Sequence, residues 1–327
     1  MNLYKRIFPV ALGLYLITFL ILLSACGNDL ERGSISVQED EFSVHFLYVG
    51  NGDCTLIHFP DGKNMLIDCG AAQSEITDYV RNCILSAGGK VDFLVLTHPD
   101  SEHIGNAVTI AEEFEVGIAF IPYVKNCMQF PVFNDVIETF TNKGVKTEIS
   151  YFGKSVVGED YFVGFLYPSP PELSDSAYLD LNLSAQPSVR AVDEVSSVLY
   201  AEYAGVRFLF MSDSGERAET DITDNYLVGY FDELFERNVN LRNVDFLKVG
   251  GHGSPDSSTE RFMGVVSPEN AVISVGNDNY EGLPSSASIG RVLTANPDVN
   301  LFRTDVKGTV SVRVGQNGVY SISSESD

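Results

Sequence analysis

The chain has 327 residues, enough for one large or two ordinary domains, and 44% of them are hydrophobic while 20% are charged. This balance excludes a largely disordered chain and favours a well-packed globular body. The net charge of −24, without a Lys/Arg cluster, disfavours stable nucleic-acid binding, because phosphate neutralisation needs basic side chains. A small substrate, or one bridged by divalent cations, fits this charge better.

Residues 1–25 have the pattern of a bacterial lipoprotein signal peptide. Lys5 and Arg6 precede a long apolar run, and the sequence Leu-Ser-Ala-Cys that ends at Cys26 matches a lipobox. An uncleaved membrane helix is the alternative, although the apolar run is slightly short for a span. Cleavage before Cys26 would place a lipid on its sulfur and anchor the protein to the outer face of the cytoplasmic membrane. Residues 26–41 are polar and acidic and are predicted to form a flexible tether.

The predicted domain, residues 42–323, begins with a hairpin that contains two cysteines. If Asp61–Gly62 is a two-residue turn, residues whose numbers sum to 123 face each other across the strands. Cys54 and Cys69 satisfy this condition, so a cross-strand disulfide is geometrically possible outside the cytoplasm. Small buried thiols are the alternative.

The stretch Thr97–Asn106 concentrates side chains that can bind a metal. It follows a predicted buried strand, Val91–Leu96, and leads into a predicted helix, Ile104–Phe114. Functional side chains are commonly placed at such strand-to-helix turns. Imidazole nitrogen and carboxylate oxygen are ligands that Zn, Mn and Fe accept. The four potential ligands are His98, Asp100, Glu102 and His103.

Three other predicted strands end on an acid or a histidine. Asp68 follows the second strand of the first hairpin, Asp213 follows a second hairpin, and His252 follows a later strand. An acid just past a buried strand often orients a metal ligand from behind, and a turn or a helix cap is the alternative. His45 and His58 lie in the first hairpin and are expected to be ordinary strand residues.

The remaining pattern predicts the fold class. Both halves of the chain open with hairpins and continue with strand–helix units, among them a helix of about twenty residues near Glu216–Arg237. This alternation predicts an α/β protein in which two mixed sheets face each other with helices outside. Residues 168–190 are rich in Pro, Ser and Asp and are predicted to form an exposed loop that could act as a lid.

The motifs, taken in order, resemble those of metallo-β-lactamase-fold hydrolases, and more narrowly the ComEC-like extracellular hydrolase domain. The resemblance covers about Glu41–Ser323 and implies a four-layer αββα sandwich. That branch has His-Pro-Asp-x-Asp-His, where this chain has His-Pro-Asp-Ser-Glu-His. The other matching motifs are Gly-Asn-Gly-Asp at 50–53, Ile-Asp-Cys-Gly at 67–70, Ser-Asp at 212–213 and Leu-Lys-Val-Gly-Gly-His-Gly-Ser at 247–254.

The resemblance also implies the ligand sets for one or two divalent ions, with Zn, Mn or Fe all open. The first set is His98, Asp100 and the bridging Asp213, with Asp193 as a further oxygen donor where the family has a third ligand. The second set is Glu102, His103, His252 and the same Asp213. Catalysis by a metal-activated water would then involve Asp68, Asp100 and Glu102.

Three departures from the family pattern bear on catalysis. Glu102 stands in place of an Asp, Gly251 replaces the first His of a pair, and Leu283 occupies a normally polar position. The resemblance implies a lipid-anchored extracellular metal-dependent hydrolase that acts on phosphodiester bonds. The alternative is a degenerate, non-catalytic lipoprotein that serves as a surface binding or scaffold protein.

Overall fold

The structure is a computed structural model, and it describes residues 41–72, 80–82, 89–125, 129–170, 188–277, 279 and 282–326. The proposed signal peptide, Cys26 and the tether lie outside the described residues, as do Cys83, Cys127 and most of the predicted 168–190 loop. Within the described part of the chain, every helix is too short or too polar to cross a membrane.

The first sheet has eight strands and combines antiparallel with parallel pairing. Its order is β15-β14-β1-β2-β3-β4-β5-β6. Pairing is antiparallel from β15 to β3 and parallel from β3 to β6. Its strands are β1 Phe42–Phe46, β2 Thr55–His58, β3 Asn64–Ile67, β4 Lys90–Val95, β5 Glu115–Ile121, β6 Lys146–Ile149, β14 Val310–Val314 and β15 Tyr320–Ser324.

The second sheet has seven strands and the same change of pairing. Its order is β13-β12-β11-β10-β9-β8-β7. Pairing is antiparallel from β7 to β10 and parallel from β10 to β13. Its strands are β7 Ser155–Val157, β8 Tyr161–Tyr167, β9 Val198–Tyr203, β10 Val206–Phe210, β11 Phe246–Lys248, β12 Asn270–Ile273 and β13 Asn300–Arg303.

The two sheets pack face to face through one aromatic-rich core. Alternate residues of β1 and β14 point into this core and meet inward-facing residues of β8, β9 and β10. Phe42 of the first sheet, for example, stacks on Tyr203 of the second at a ring distance of 5.1 Å. Burial of so much aromatic surface is the main force that holds the sheets together.

Helices cover the outer faces, as the predicted αββα sandwich requires. The outer face of the second sheet packs against α5, α6, α7 and α8 through a separate apolar cluster. On the first sheet, α2 contacts β5 and also packs on α3. The described helices are α1 Ser101–Ile104, α2 Ala107–Glu113, α3 Pro131–Lys143, α4 Val189–Asp193, α5 Glu216–Leu227, α6 Tyr230–Phe235, α7 Glu260–Val266, α8 Ser286–Ala295 and α9 Thr304–Lys307.

The predicted register of the first hairpin is wrong by one residue. The strands pair His58 with Asn64, so facing residue numbers sum to 122. The loop contains three residues because Phe59 N donates to the carbonyl of Lys63. Cys54 and Cys69 are therefore not opposite each other; both are buried thiols, and Cys69 Sγ donates to the carbonyl of His103.

Two predicted helices are also interrupted. The helix predicted from Ile104 begins earlier, at Ser101, and is divided into α1 and α2. The helix predicted over Glu216–Arg237 is divided into α5 and α6, because Gly229 adopts a left-handed conformation with φ 74°. These breaks change helix length but leave the layered architecture as predicted.

Candidate metal centre

The candidate site lies where parallel strands of both sheets end. Asp68 follows β3, His98 follows β4, Asp213 follows β10, and His252 lies just after β11. Within each sheet these strands are parallel neighbours, so their carboxyl ends lie at one edge. Face-to-face packing brings the two edges together. His103 joins them from the end of α1, which the capping side chain of Asp100 starts.

Three imidazoles converge on the carboxylate of Asp213. The Nε2 atoms of His98 and His103 lie 3.7 and 3.2 Å from Asp213 Oδ2. The Nε2 atom of His252 lies 3.3 Å from the other oxygen, Oδ1. His98 and His103 are fully buried, whereas His252 and Asp213 are partly exposed. One carboxylate thus lies between three ring nitrogens at the edge of the interior.

Hydrogen bonds behind two of these rings fix their tautomers. His103 Nδ1 lies 2.8 Å from Asp68 Oδ2, and an ionised carboxylate can only accept, so Nδ1–H donates. His252 Nδ1 lies 2.8 Å from the carbonyl oxygen of Ser274, which also can only accept. In the neutral form of each ring, the Nε2 lone pair is therefore left for Asp213 or for a cation.

The tautomer of His98 follows from the hydroxyl of Thr97. Thr97 Oγ1–H donates to Asp68 Oδ2 at 2.7 Å, so its lone pairs remain to accept from other donors. His98 Nδ1 lies 3.0 Å away and is one such donor, and Ser212 Oγ at 2.7 Å is the other. His98 accordingly also presents an Nε2 lone pair, and the Thr97–Ser212 contact ties the two sheets together beside the site.

These residues fit a divalent metal ion. The buried Nε2 atom of His98 has no hydrogen-bond partner among the described residues, and it lies 3.7 Å from Asp213 Oδ2. Buried polar atoms are rarely left so unless a ligand satisfies them. Ligand atoms of His98, His103 and Asp213 lie within 4.8 Å of one another, and imidazole and carboxylate suit Zn, Mn or Fe.

The electrostatics favour the protonated forms of His103 and His252, but not of His98, in the metal-free protein. Burial lowers the pKa of His252, but the Asp213 carboxylate outweighs this effect and the pKa is raised to about 9. Asp213 and Asp68 likewise overcome burial and raise the pKa of His103 well above its usual range. Burial, with a smaller effect of His103, lowers the pKa of His98 to about 4. Protons on His103 and His252 thus compete with a metal.

The other acids predicted for the site lie around it rather than in the ligand groups. Asp100 Oδ1 accepts from the backbone N–H of Glu102 at 2.9 Å. Glu102 is half-buried. Burial, and to a smaller extent the negative charge of Asp100, raises the pKa of its carboxyl group. Burial, and to a smaller extent the negative charge of Asp213, raises the pKa of Asp193 to about 8. Among the described residues, none of these three belongs to a group of ligand atoms within 4.8 Å of one another.

The other positions singled out in the sequence lie outside the ligand groups of the described residues, and local contacts account for them. Gly251 has φ 52°, and a Cβ there would lie 2.7 Å from Ser254 Oγ. Leu283 packs against the outer apolar cluster of the second sheet. His45 contacts two serine hydroxyls and His58 contacts Asn64, so both are strand residues outside the site.

The sequence interpretation assigned no role to two further charged residues at the site. Asp53, in the turn before β2, and Lys248, the last residue of β11, are both buried and form an ion pair. The sequence signal for this ion pair is Lys248 at the end of an apolar strand, because a buried lysine nearly always has a charged partner.

Comparisons with known proteins agree with this architecture. Residues 47–124 match the model of the metallo-beta-lactamase superfamily. ComE operon protein 3 of Bacillus subtilis is 25% identical over 95% of this chain and 41% of its own length. Competence protein ComA of Neisseria gonorrhoeae is 24% identical over 87% of this chain and 34% of its own length. The chain therefore spans less than half of either relative.

A solved structure supports the same fold. A mutant of CmlA β-hydroxylase, an enzyme from Streptomyces venezuelae, aligns with a TM-score of 0.50 and 13% identity. The alignment covers 85% of this chain and 54% of that chain. At this identity the likeness concerns the fold alone. The chain has the metallo-β-lactamase fold, and ComE operon protein 3 and competence protein ComA are its homologues.

Proposed function

We propose that this protein is a metal-dependent hydrolase of phosphodiester bonds, held by a lipid on Cys26 at the outer face of the cytoplasmic membrane. The observation that carries the metal-dependent part is the orientation of His98, His103 and His252. All three present Nε2 to Asp213, and hydrogen bonds on the opposite ring nitrogen hold each of them there. Such preorganisation is what a metal site requires.

The chain's own residues have separable roles in this proposal. A bound divalent ion would supply Lewis acidity toward a phosphoryl oxygen and lower the pKa of water. The three imidazoles and Asp213 would hold it, while Asp68 keeps His103 oriented from behind. Glu102 is partly exposed, and the pKa of its carboxyl group, raised by burial and then by Asp100, suits proton exchange with a substrate.

The phosphodiester assignment rests on the resemblance and on the surrounding charge. One of the two relatives is named a competence protein and the other a ComE operon protein, and the motifs of the ComEC-like branch recur here in the same order. The net charge of −24 favours a small phosphodiester, or one bridged by divalent cations, over a long nucleic acid. The lipid anchor rests on the lipobox that ends at Cys26.

The test is hydrolysis of bis(p-nitrophenyl) phosphate by the full chain loaded with Mn²⁺, Zn²⁺, Fe²⁺ or Mg²⁺, with elemental analysis of bound metal. We expect turnover with at least one metal and loss of both metal and turnover in Asp213→Ala. Asp135→Asn, which changes an exposed acid on α3, serves as the matched control. Turnover that survives Asp213→Ala would contradict the proposal.

A second candidate, a non-catalytic binding or scaffold protein, is favoured by one observation. Asp100 and Glu102 lie outside the ligand groups of the described residues, and Asp100 caps a helix instead. In that case the protein would bind metal through the histidines and hydrolyse no phosphodiester with any of the four metals.

A further inference from the structure

Lys248 and Asp53 form a buried ion pair directly behind the candidate metal centre. Lys248 is 3% exposed and Asp53 is 2% exposed, so both charges are withdrawn from water. Removing two charges from water is costly, and a lone buried charge costs more than a pair. The ammonium and the carboxylate are in direct contact, so each balances the charge of the other.

Asp53 lies on the Nδ1 side of two histidines. Its Oδ2 is 4.0 Å from His103 Nδ1, and its Oδ1 is 3.8 Å from His252 Nδ1. The Nε2 atoms of the same rings face Asp213 on the other side. The site therefore has a front, formed by Asp213 and the Nε2 atoms, and a back, formed by Asp53 and the Nδ1 atoms.

Three groups of side chains have the spacing of metal ligands, and some residues belong to more than one group. One is the front group His98, His103 and Asp213. The other two both contain Asp53, one with Asp68 and His103 and the other with Asp213 and His252. The Lys248 ammonium contacts Asp53 and so bears on both of those groups, while it forms no ion pair with the described residues of the front group.

A small cavity lies beside the ion pair at the back of the site. The ion pair borders an internal cavity of about 10 Å³, whose polar lining includes Asp68 and Ser212. A cavity of that size holds about one water molecule. The Lys248 ammonium already contacts Asp53, and it would repel a divalent ion there at short range.

We propose that Lys248 is a built-in cation that takes the place of one divalent ion and confines metal binding to the front of the site, where the Nε2 atoms of His98, His103 and His252 face Asp213. This inference deepens the proposed function and rests on its metal site. It assigns Lys248 as a positioning residue that sets how many ions the site holds. The Asp53 carboxylate is then an internal counter-ion rather than a metal ligand.

The test counts bound metal ions and does not depend on turnover. Metal-free full chain would be dialysed against Zn²⁺ and, separately, Mn²⁺, and bound metal determined by elemental analysis. Lys248→Met removes the charge at nearly constant side-chain volume, and we expect this variant to bind one more ion per chain than the wild type. The double variant Asp53→Asn with Lys248→Met removes both charges and should return the count to the wild-type value.

Lys146→Met is the matched control, because Lys146 also pairs with an acid but is exposed at the surface. Its metal count should equal that of the wild type. Equal counts for Lys248→Met and the wild type would overturn the inference. If Lys248→Met binds one ion more than the wild type but neither protein hydrolyses a phosphodiester, the proposed function fails while the inference stands.

A second comparison applies if Lys248→Met does not fold. Asp53→Asn leaves the ammonium without its counter-ion beside His103 and His252, so metal affinity at the front should fall by about tenfold or more. Adding Lys248→Met to Asp53→Asn should restore that affinity. A pair that served only to hold the two sheets together would show no such rescue, and absence of rescue would overturn the inference.

Discussion

Asp68 illustrates at the scale of one residue how the site is held. Its carboxylate accepts hydrogen bonds from Thr97 N, Thr97 Oγ1 and His103 Nδ1, at 2.9, 2.7 and 2.8 Å. It is 1% exposed, so water cannot replace these partners. Because Thr97 in turn contacts His98, a single carboxylate orients both histidines of the first sheet.

Asp68→Asn should therefore weaken metal binding more than it weakens the fold. The amide has nearly the same shape but can present its NH₂ group to a donor, which would reorient His103. We expect metal affinity to fall by about 10- to 100-fold, as is usual when such a partner of a ligating histidine is lost. Isothermal titration with Zn²⁺ measures this, with Asp135→Asn as the exposed control. An unchanged affinity would show that Asp68 does not orient a ligand.

The raised pKa values of His103 and His252 predict opposite pH trends for metal binding and for stability. His252 has a pKa of about 9 in the folded protein, against about 6.5 in an unfolded chain. Its stabilising effect on the metal-free protein is complete below pH 6.5 and is lost as the pH rises through 9. A metal must displace that proton, so metal affinity should rise by about tenfold per pH unit and per proton over the same range.

Urea denaturation in EDTA and titration calorimetry, both from pH 6.5 to 9.5, measure the two trends. His252→Gln should flatten both of them in part, because His103 continues to titrate. Metal affinity that stays constant from pH 7 to 9 would mean that neither imidazole is a ligand.

At the scale of elements, strand positions were largely predictable, because short runs of β-branched and other apolar residues identify buried strands. The strand predicted at Val91–Leu96, for example, is β4 at Lys90–Val95, one residue away at each end. The hairpin register was not, because Asp61–Gly62 is equally compatible with a two-residue and a three-residue loop. The charged groups behind the site were also missed, because Asp53 and Lys248 are 195 positions apart and only the packed sheets bring them together.

The glycine at the break between α5 and α6 leads to a prediction: a Gly→Ala substitution should have opposite effects on stability at Gly229 and at Gly264. Gly229 has φ 74° and nothing within 4 Å of an added Cβ, so Gly229→Ala should destabilise through backbone strain alone, by about 1 kcal/mol. Gly264 lies within α7, also with open space, and Gly264→Ala should stabilise by up to about 1 kcal/mol. Urea denaturation measures both, and equal signs would contradict the conformational explanation.

At the scale of the whole molecule, the candidate site is shared by the two sheets. His98 and His103 belong to the first sheet and its first helix, whereas Asp213 and His252 belong to the second. The sheets already adhere through their common core. A cation held between the two edges would therefore add a link between the sheets at this end of the sandwich.

Metal binding should thus stabilise the entire fold, and it should do so only with both halves of the site intact. At a free metal concentration of 100 times Kd, linkage predicts about 2.7 kcal/mol of added stability, or several degrees in Tm. Differential scanning calorimetry with and without EDTA measures this shift. Asp213→Ala removes the ligand shared by both sheets and should abolish it, whereas Asp135→Asn should retain it in full. A wild-type Tm that EDTA leaves unchanged would mean that no ion bridges the sheets.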